Sequence, residues 1–264
     1  MTNIRVRVES VDQEPERRAC TLLGECVIEA GVGDDYKALA PYHYRDTGFP
    51  PAVHQIYRAR HGPSRRTVGV IVYAAPAMNL GVRNKIFGDR YKIGGGVDNR
   101  AAWARLNAEV ELIMRVVIHP TFRGIGLGQR LIGETLGQRP YRYIEMSAAM
   151  GNINPFAAKA GMRALKTPRP PNTERVLAAL RAVGMTDDQV GNPTELLRAL
   201  ESLPPEKRAA TERELLFYAE RWIKSRTKRE VTVTVADAVR RVASNALLEP
   251  IYYLHENPGV PLKS

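Results

Sequence analysis

Residues 119–128 read HPTFRGIGLG, with one arginine and three alternating glycines between two apolar segments. The preceding residues 111–120 (ELIMRVVIHP) predict an apolar strand that ends at Pro120, and residues 127–137 (LGQRLIGETLG) carry apolar side chains at helical spacing. A glycine-rich turn from a strand into a helix presents unpaired backbone N–H groups and the positive end of the helix dipole. The stretch therefore predicts a binding site for a phosphate or pyrophosphate, to which Arg123 can add a positive charge.

The spacing of the glycines argues against two common nucleotide-binding motifs. A Walker A loop ends in Gly-Lys-Ser/Thr, whereas Gly128 is followed here by Gln129 and Arg130. A dinucleotide-binding fingerprint has the form GxGxxG, whereas the glycines here stand at positions 124, 126 and 128. What remains is the pattern Arg-x-x-Gly-x-Gly after an apolar strand.

The segments on either side of the glycine stretch predict a domain that mixes strands and helices. The signals are period-two alternation, helical apolar spacing, and clusters of Gly, Pro and Asp. Strands are predicted at 3–8, 53–60, 66–75, 111–120 and 141–149, and helices at 15–30, 127–137 and 154–162. Loops are predicted at 31–52, with room for one short helix, and at 76–105. The short turn between 53–60 and 66–75 suits an antiparallel hairpin.

The composition changes at TPRPPNTE (167–174), which reads as a proline-rich linker. Segments with helical apolar spacing follow, and EVTVTVADAVRRVASNALL adds an extended stretch and a further helix. The sequence therefore predicts one domain over 1–165 and a linker with a mainly helical region over 166–264.

Composition limits the classes of function. The chain of 264 residues has 44% apolar residues, and its net charge of +11 favours anionic partners such as nucleic acid, phosphorylated cofactors or acidic proteins. There is no apolar run of about 18 residues and no signal-peptide pattern, so we expect a cytoplasmic protein without a membrane partner. The two cysteines lack the spacing of a zinc site, so no metal is predicted.

The pattern Arg123-x-x-Gly126-x-Gly128 after an apolar strand resembles motif A of the GNAT superfamily of N-acyltransferases. The resemblance spans about residues 1–165. It implies an α/β fold of the α+β type, in which helices flank a mixed twisted sheet, and here a mostly α-helical C-terminal extension would follow. It also implies acetyl-CoA as the cofactor, with its pyrophosphate on the glycine loop.

The same resemblance implies particular cofactor contacts. The pantetheine arm would bond to the backbone of the strand before the loop, and the pyrophosphate to N–H groups of the loop and helix start. Asn154 opens the segment NPFAAKAGM (154–162), which corresponds to a further family motif. The implied cofactor-binding residues are Val116, Val117, Ile118, Arg123, Gly124, Ile125, Gly126, Leu127, Gly128, Gln129 and Asn154.

For catalysis the resemblance implies a carboxylate that takes a proton from an amine, and Glu111 matches that position, with Glu109 second. Each of the two could equally be a solvated charge at the strand end. The general acid of the family is often a tyrosine, but Phe156 or Ala157 stands at its position in NPFAAKAGM. Three alternatives stay open: the thiolate leaves without an acid, Tyr141 or Tyr44 replaces it, or the chain does not perform standard acetyl transfer.

A second, shorter pattern is similar to the Mom-like branch of phage DNA-modification enzymes. It comprises PYHYRDTGFPP (41–51), GVIVYAAPAMN (69–79) and the pair Glu111 and Arg115. This resemblance implies catalytic roles for His43, Tyr44 and Arg115. Alternatively, His43 and Tyr44 form a packed surface pair, and Arg115 only pairs with a carboxylate such as Glu145.

Together these observations predict an acetyl-CoA-dependent N-acyltransferase whose acceptor amine lies in, or is attached to, nucleic acid, or belongs to a small molecule or protein. One alternative is a Mom-like GNAT-fold enzyme that modifies bases in DNA. Another is a non-catalytic GNAT-fold module that binds a partner protein or nucleic acid. The glycine loop favours a working cofactor site, because a scaffold has no physical need for it.

Overall fold

A computed structural model describes residues 20–43, 48–94, 98–166, 168–224 and 232–262. The strand predicted at 3–8 lies outside these ranges. The helix predicted at 15–30 is wrong in part: residues 21–24 are helical, but residues 26–31 form the first strand of the sheet. This strand pairs with the hairpin over its whole length, and Glu29 forms ion pairs with Arg58 and Arg60. Tertiary pairing therefore overrides a local apolar pattern that also fits a helix.

The fold is built on a mixed sheet of seven strands in the order β1-β2-β3-β4-β5-β7-β6. Only β4 and β5 run parallel, and the other neighbours are antiparallel. The hairpin of β2 and β3 is therefore confirmed. The strands are β1 Cys26–Gly31, β2 Val53–His61, β3 Thr67–Ala74, β4 Val110–Ile118, β5 Tyr143–Ala148, β6 Arg163–Lys166 and β7 Ile251–Glu256.

Eleven α-helices are found among the described residues, together with three short 3-10 turns. They are α1 Thr21–Gly24, α2 Gly33–Leu39, α3 Gly81–Phe87, α4 Asn99–Glu109, α5 Leu127–Leu136, α6 Phe156–Lys159, α7 Pro171–Ala182, α8 Asp187–Gly191, α9 Pro193–Glu201, α10 Pro205–Lys224 and α11 Val235–Asn245. The 3-10 turns are Ala40–Tyr42, Gly88–Tyr91 and Pro120–Phe122. None of the helices is long and apolar enough to cross a membrane, over the ranges that the structure describes.

The loop predicted at 76–105 is wrong in part, because α3 and most of α4 lie within it. Asp98 caps α4 by accepting hydrogen bonds from the backbone N–H groups of Arg100 and Ala101. The helix buries only Ala102, Leu106 and its last residue, so its sequence shows little apolar periodicity. A short helix with so narrow a buried face gives no clear signal.

Both faces of the central strands are covered. One face packs against α5 in a core that includes Ile71, Tyr73 and Leu131. The other face packs against α2 in a smaller core that includes Tyr36, Val70 and Val72. We call these the α5 face and the α2 face. Because both sides of β3 are buried, its residues from Val68 to Ala74 form a continuous apolar run rather than an alternating one.

The last strand, β7, comes from a region that the sequence predicts as mainly helical. It lies between β5 and β6, and Lys166 at the end of β6 stands opposite Ile251 at the start of β7. Helices α7 to α11 therefore occupy the connection of a β-hairpin and are not appended to the end of the sheet. They have a hydrophobic core of their own, which includes Leu177, Leu215 and Val242.

This topology predicts that the helical insertion is dispensable for folding of the sheet, whereas β7 is not. In the first variant an Asn-Gly turn replaces residues 167–250, since such a turn joins adjacent antiparallel strands directly. In the second variant the chain ends at Lys166 and lacks β7. We expect cooperative urea unfolding, followed by circular dichroism, for the first variant only. A folded second variant together with an unfolded first one would contradict this topology.

Candidate functional site

The glycine stretch forms a sharp turn at the start of α5. Gly124 and Gly126 have φ angles of +81° and +92°, a region that side chains other than hydrogen disfavour. Gly126 is the N-cap of α5, and no side chain caps the helix among the described residues. The first N–H groups of α5 are therefore available to an external acceptor, and the helix dipole adds positive potential there.

The strand before this turn separates from its parallel neighbour. Strands β4 and β5 pair over three residues only, with Val110–Leu112 of β4 opposite Tyr143–Glu145 of β5. Beyond this pairing, β4 continues to Ile118 along β3, and β5 continues to Ala148 along β7. The facing edges of the two strands thus form a wedge, and no strand among the described residues pairs with β4 along that edge.

A bulge at Met114 explains how β4 leaves β5. Arg115 pairs with Val72 and Ile113 pairs with Tyr73, so Met114 is an extra residue on β4. Bulges bend a strand and increase its local twist. The separated segment from Ile113 to Ile118 spans roughly 20 Å at about 3.3 Å per residue, and it leads to the glycine turn. One continuous line of backbone polar groups therefore connects the base of the wedge with the start of α5.

Arg123 holds the turn in place. Its Nε donates to the Ile118 carbonyl at 3.0 Å, and its Nη2 donates to the Tyr42 carbonyl at 2.8 Å. Two of its donors are therefore engaged with backbone carbonyls, and one of these belongs to a residue predicted to contact pantetheine. A contact between Arg123 and a bound anion stays a prediction.

The segment that follows β5 places no tyrosine at the wedge. Ala157 is fully buried in the core of the α5 face, and Phe156 packs against the same core. Asn154 is exposed in the loop before α6, so its predicted cofactor contact stays a prediction. Gln129 donates to the Lys159 carbonyl at 3.0 Å and thereby links the start of α5 to α6.

Glu111, the predicted base, is fully buried on the α5 face. Arg139 binds both carboxylate oxygens, with distances of 2.8 and 2.9 Å, and His54 Nδ1 lies 2.9 Å from Oε1. The ring of Tyr141 stacks on that of His54 at 5.5 Å between centroids. Because both oxygens are engaged with cationic or imidazole nitrogens, Glu111 has little capacity left to accept a proton from a substrate.

Glu109, the second candidate, does not lie on the strand. It is the last residue of α4, and its carboxylate binds Arg90 at 2.7 Å and the hydroxyl of Tyr91. Burial and the Glu109 carboxylate raise the pKa of Tyr91 above its usual value. Because β4 begins only at Val110, Glu109 does not share a strand face with Glu111, and its catalytic role stays a prediction.

The residues implied by the Mom-like pattern fall in different places. His43 follows the 3-10 turn Ala40–Tyr42, and Tyr44 lies outside the described residues. Arg115 stands opposite Val72 and so projects to the α2 face. Simple alternation along β4 would put Arg115 on the same face as Glu111, but the bulge at Met114 places the two on opposite faces.

A cluster that sequence reasoning missed lies at the base of the wedge on the α2 face. It consists of Glu145 on β5, Arg83 on α3 and Tyr252 on β7. The Tyr252 hydroxyl donates to Glu145 Oε2 at 2.8 Å, and Arg83 Nε lies 3.5 Å from the same oxygen. Glu145 appeared in the sequence only as a candidate partner of Arg115, and its ion-pair partner is Arg83. The other two members lie in segments predicted as loop and as helical, so no local signal connected them.

Burial dominates the electrostatics of this cluster. Glu145 and Arg83 both have side chains that are 0% exposed. Burial raises the pKa of Glu145, while the Arg83 charge and the Tyr252 hydrogen bond act in the opposite direction. Burial and the neighbouring carboxylate raise the pKa of Tyr252, so its hydroxyl keeps its proton and serves as a donor.

No protein-family model matches the chain, and no similar sequence is found among curated proteins. Among solved structures the chain is similar to SsHAT, with 16% identity over 55% of this chain and 95% of that chain and a TM-score of 0.35. It is similar to mosquito arylalkylamine N-acetyltransferase like 5b, with 14% identity over 53% and 84% and a TM-score of 0.34. It is also similar to malonyl-CoA decarboxylase from Agrobacterium vitis, with 13% identity over 88% and 61% and a TM-score of 0.36.

One of these neighbours is an arylalkylamine N-acetyltransferase by name. The observed mixed sheet with flanking helices confirms the predicted fold class and is consistent with a GNAT-like fold. The predicted helical extension is present, but its place in the chain is between β6 and β7.

The Glu111 site predicts a stability effect. Arg139→Met leaves a fully buried carboxylate without its main partner, so we expect a loss of about 3 to 5 kcal/mol in the free energy of unfolding. The measurement is urea unfolding followed by Trp103 fluorescence in a Trp222→Phe background. Lys37→Met is the control, since its pair with Asp34 is exposed and should contribute less than about 1 kcal/mol. Equal losses in the two variants would contradict a structural role for the Glu111 pair.

Proposed function

We propose that this chain is an N-acyltransferase that uses acetyl-CoA and transfers the acetyl group to an amine. The observation that carries this proposal is the wedge between β4 and β5, which runs into an uncapped helix start. The donors there fit an extended amide-containing arm that ends in a diphosphate. Bound acetyl-CoA supplies the acetyl group as an activated thioester.

Each part of the site has a physical role in this proposal. The turn at Gly124 and Gly126 exposes the N–H groups at the start of α5, which bind the pyrophosphate. The edge of β4 that faces the wedge pairs with the amide groups of the pantetheine arm, as an added strand would. The same backbone orients the thioester at the base of the wedge, and its N–H groups polarise the carbonyl.

The second part of the proposal concerns the identity of the acceptor amine. The net charge of +11 favours an acceptor attached to a polyanion, and Arg115 lies on the α2 face beside the wedge. We therefore propose an amine in, or bound to, nucleic acid, as in a Mom-like enzyme. A non-catalytic module that binds a partner through the same fold is the alternative that the tests below separate.

The loop assignment predicts a specific binding defect. Gly126→Glu puts a side chain and a negative charge where the pyrophosphate binds, so we expect at least about a 100-fold weaker Kd for acetyl-CoA, equal to about 2.8 kcal/mol. Isothermal titration calorimetry with acetyl-CoA and with free CoA measures the effect. The matched control is Gly184→Glu, since Gly184 also has a positive φ of +84° and open space around it but lies in the helical insertion.

The outcomes separate the alternatives. Micromolar binding that Gly126→Glu abolishes and Gly184→Glu leaves intact supports the cofactor site. No binding of either ligand by the unmodified chain would favour the non-catalytic module. Repeating the titration with duplex and single-stranded DNA tests the acceptor, because a DNA-dependent change in the Kd for acetyl-CoA is expected only if the two ligands are coupled.

A further inference from the structure

Glu145 lies where the proposed transfer has to take place. It pairs with Leu112 in the last rung that joins β4 to β5, so its backbone marks the base of the wedge. Its neighbour Ile144 packs in the core of the α5 face, and successive residues of a strand point to opposite faces. The Glu145 side chain therefore lies on the α2 face, which is the face that also carries Arg115.

Glu145 is also a buried carboxylate with one oxygen that accepts no hydrogen bond from the described residues. Among the described residues, three buried glutamates lie near the base of the wedge: Glu109, Glu111 and Glu145. The first two each bind an arginine through both oxygens and have a further partner. In Glu145, Oε2 accepts from Tyr252, whereas Oε1 has no hydrogen-bond partner among the described residues. A buried carboxylate oxygen without a donor is costly, which points to a group absent from the free protein.

The groups that face Glu145 suit a carboxylate that changes its protonation state. From α3, Arg83 lies at 3.5 Å, but two of its nitrogens also donate to the Ala77 carbonyl. From β7, Tyr252 donates one hydrogen bond to Glu145. The charge of Arg163 on β6 acts to lower the pKa of that tyrosine. These groups offset only part of the burial penalty, so the pKa of Glu145 is raised toward the range in which a general base works.

We propose that Glu145 is a catalytic residue of the acyl transfer, whose Oε1 accepts the proton of the acceptor amine at the base of the wedge, and that Tyr252 and Arg83 are its positioning residues. This inference rests on the proposed function, because the amine and the thioester meet there only if acetyl-CoA occupies the wedge. Glu111, the base expected from the sequence, has a structural role instead.

The proposed step balances as follows. The nitrogen lone pair of the neutral amine forms the C–N bond at the thioester carbonyl. The C–S bond breaks and its electron pair leaves on sulfur. The proton lost by nitrogen passes to Glu145 Oε1 and ends on the thiolate, so an amine and acetyl-CoA give an N-acetyl amide and CoA with a free thiol.

The first experiment follows the ionisation of Glu145 without requiring a known acceptor. NMR of isotope-labelled glutamate carboxyl carbons gives a titration curve for each residue, and Glu145→Gln assigns the signal. We expect a midpoint above the ordinary value of a glutamate side chain. Tyr252→Phe removes a donor that stabilises the charged form, so the midpoint should rise further. Saturating acetyl-CoA should shift the Glu145 signal and leave the Glu134 signal unchanged.

The second experiment measures thiol release from acetyl-CoA with butylamine as the acceptor. Glu145→Gln should lower kcat about 100-fold or more with an unchanged Kd for acetyl-CoA. The rate of the unmodified chain should rise with pH through the midpoint found by NMR, and Tyr252→Phe should move this rise to higher pH. Glu134→Gln, a surface substitution on α5, is the control and should change neither quantity.

The results distinguish this inference from the function on which it rests. If acetyl-CoA does not bind, the proposed function fails, and this inference fails with it. If acetyl-CoA binds but neither shifts the Glu145 signal nor depends on Glu145 for turnover, only the assignment of Glu145 is overturned. If butylamine is not acetylated above the buffer rate, the NMR result decides alone. If Glu145→Gln does not fold, Tyr252→Phe serves as the test variant, because it keeps the buried charges of Glu145 and Arg83.

Discussion

The separation of β4 from β5 is the constraint on which the site depends. Among the strands that the structure describes, these two are the only parallel neighbours, and they pair over three residues before they part. A parallel pair needs a crossover connection, and here the crossover runs through the glycine turn and α5. The backbone that the sheet leaves unpaired therefore leads directly to the helix start that can bind an anion.

The bulge at Met114 has a second consequence beyond bending β4. It shifts the alternation of side chains between the two faces by one residue, so that Glu111 faces α5 whereas Arg115 faces α2. On one side of the wedge base, Glu111 and Arg139 form a buried ion pair in which both carboxylate oxygens are hydrogen-bonded. The other side holds Glu145, which has an oxygen without a donor from the described residues. A one-residue insertion in a ladder thereby determines on which face of the sheet the later polar residues of β4 lie.

Sequence reasoning succeeded where the signal is local. The turn at Gly124 and Gly126 requires a left-handed backbone conformation, which only glycine adopts readily. The turn could therefore be predicted from the sequence. The hairpin of β2 and β3 and the apolar face of α5 follow from periodicity within a single segment. Reasoning failed for β1, α4 and β7, because each depends on partners distant in the chain or buries too few side chains to leave a pattern.

The sequence by itself determined the glycine turn before α5, the mixed α/β class and the existence of a helical region after residue 166. Only the tertiary structure decided that this region interrupts a hairpin, that Glu111 and Arg115 lie on opposite faces, and that Glu145, Arg83 and Tyr252 meet. The physical reason is that backbone conformation and apolar periodicity are encoded in neighbouring residues. Strand register, bulges and buried charge clusters are instead set by pairing between distant segments, which local patterns do not specify.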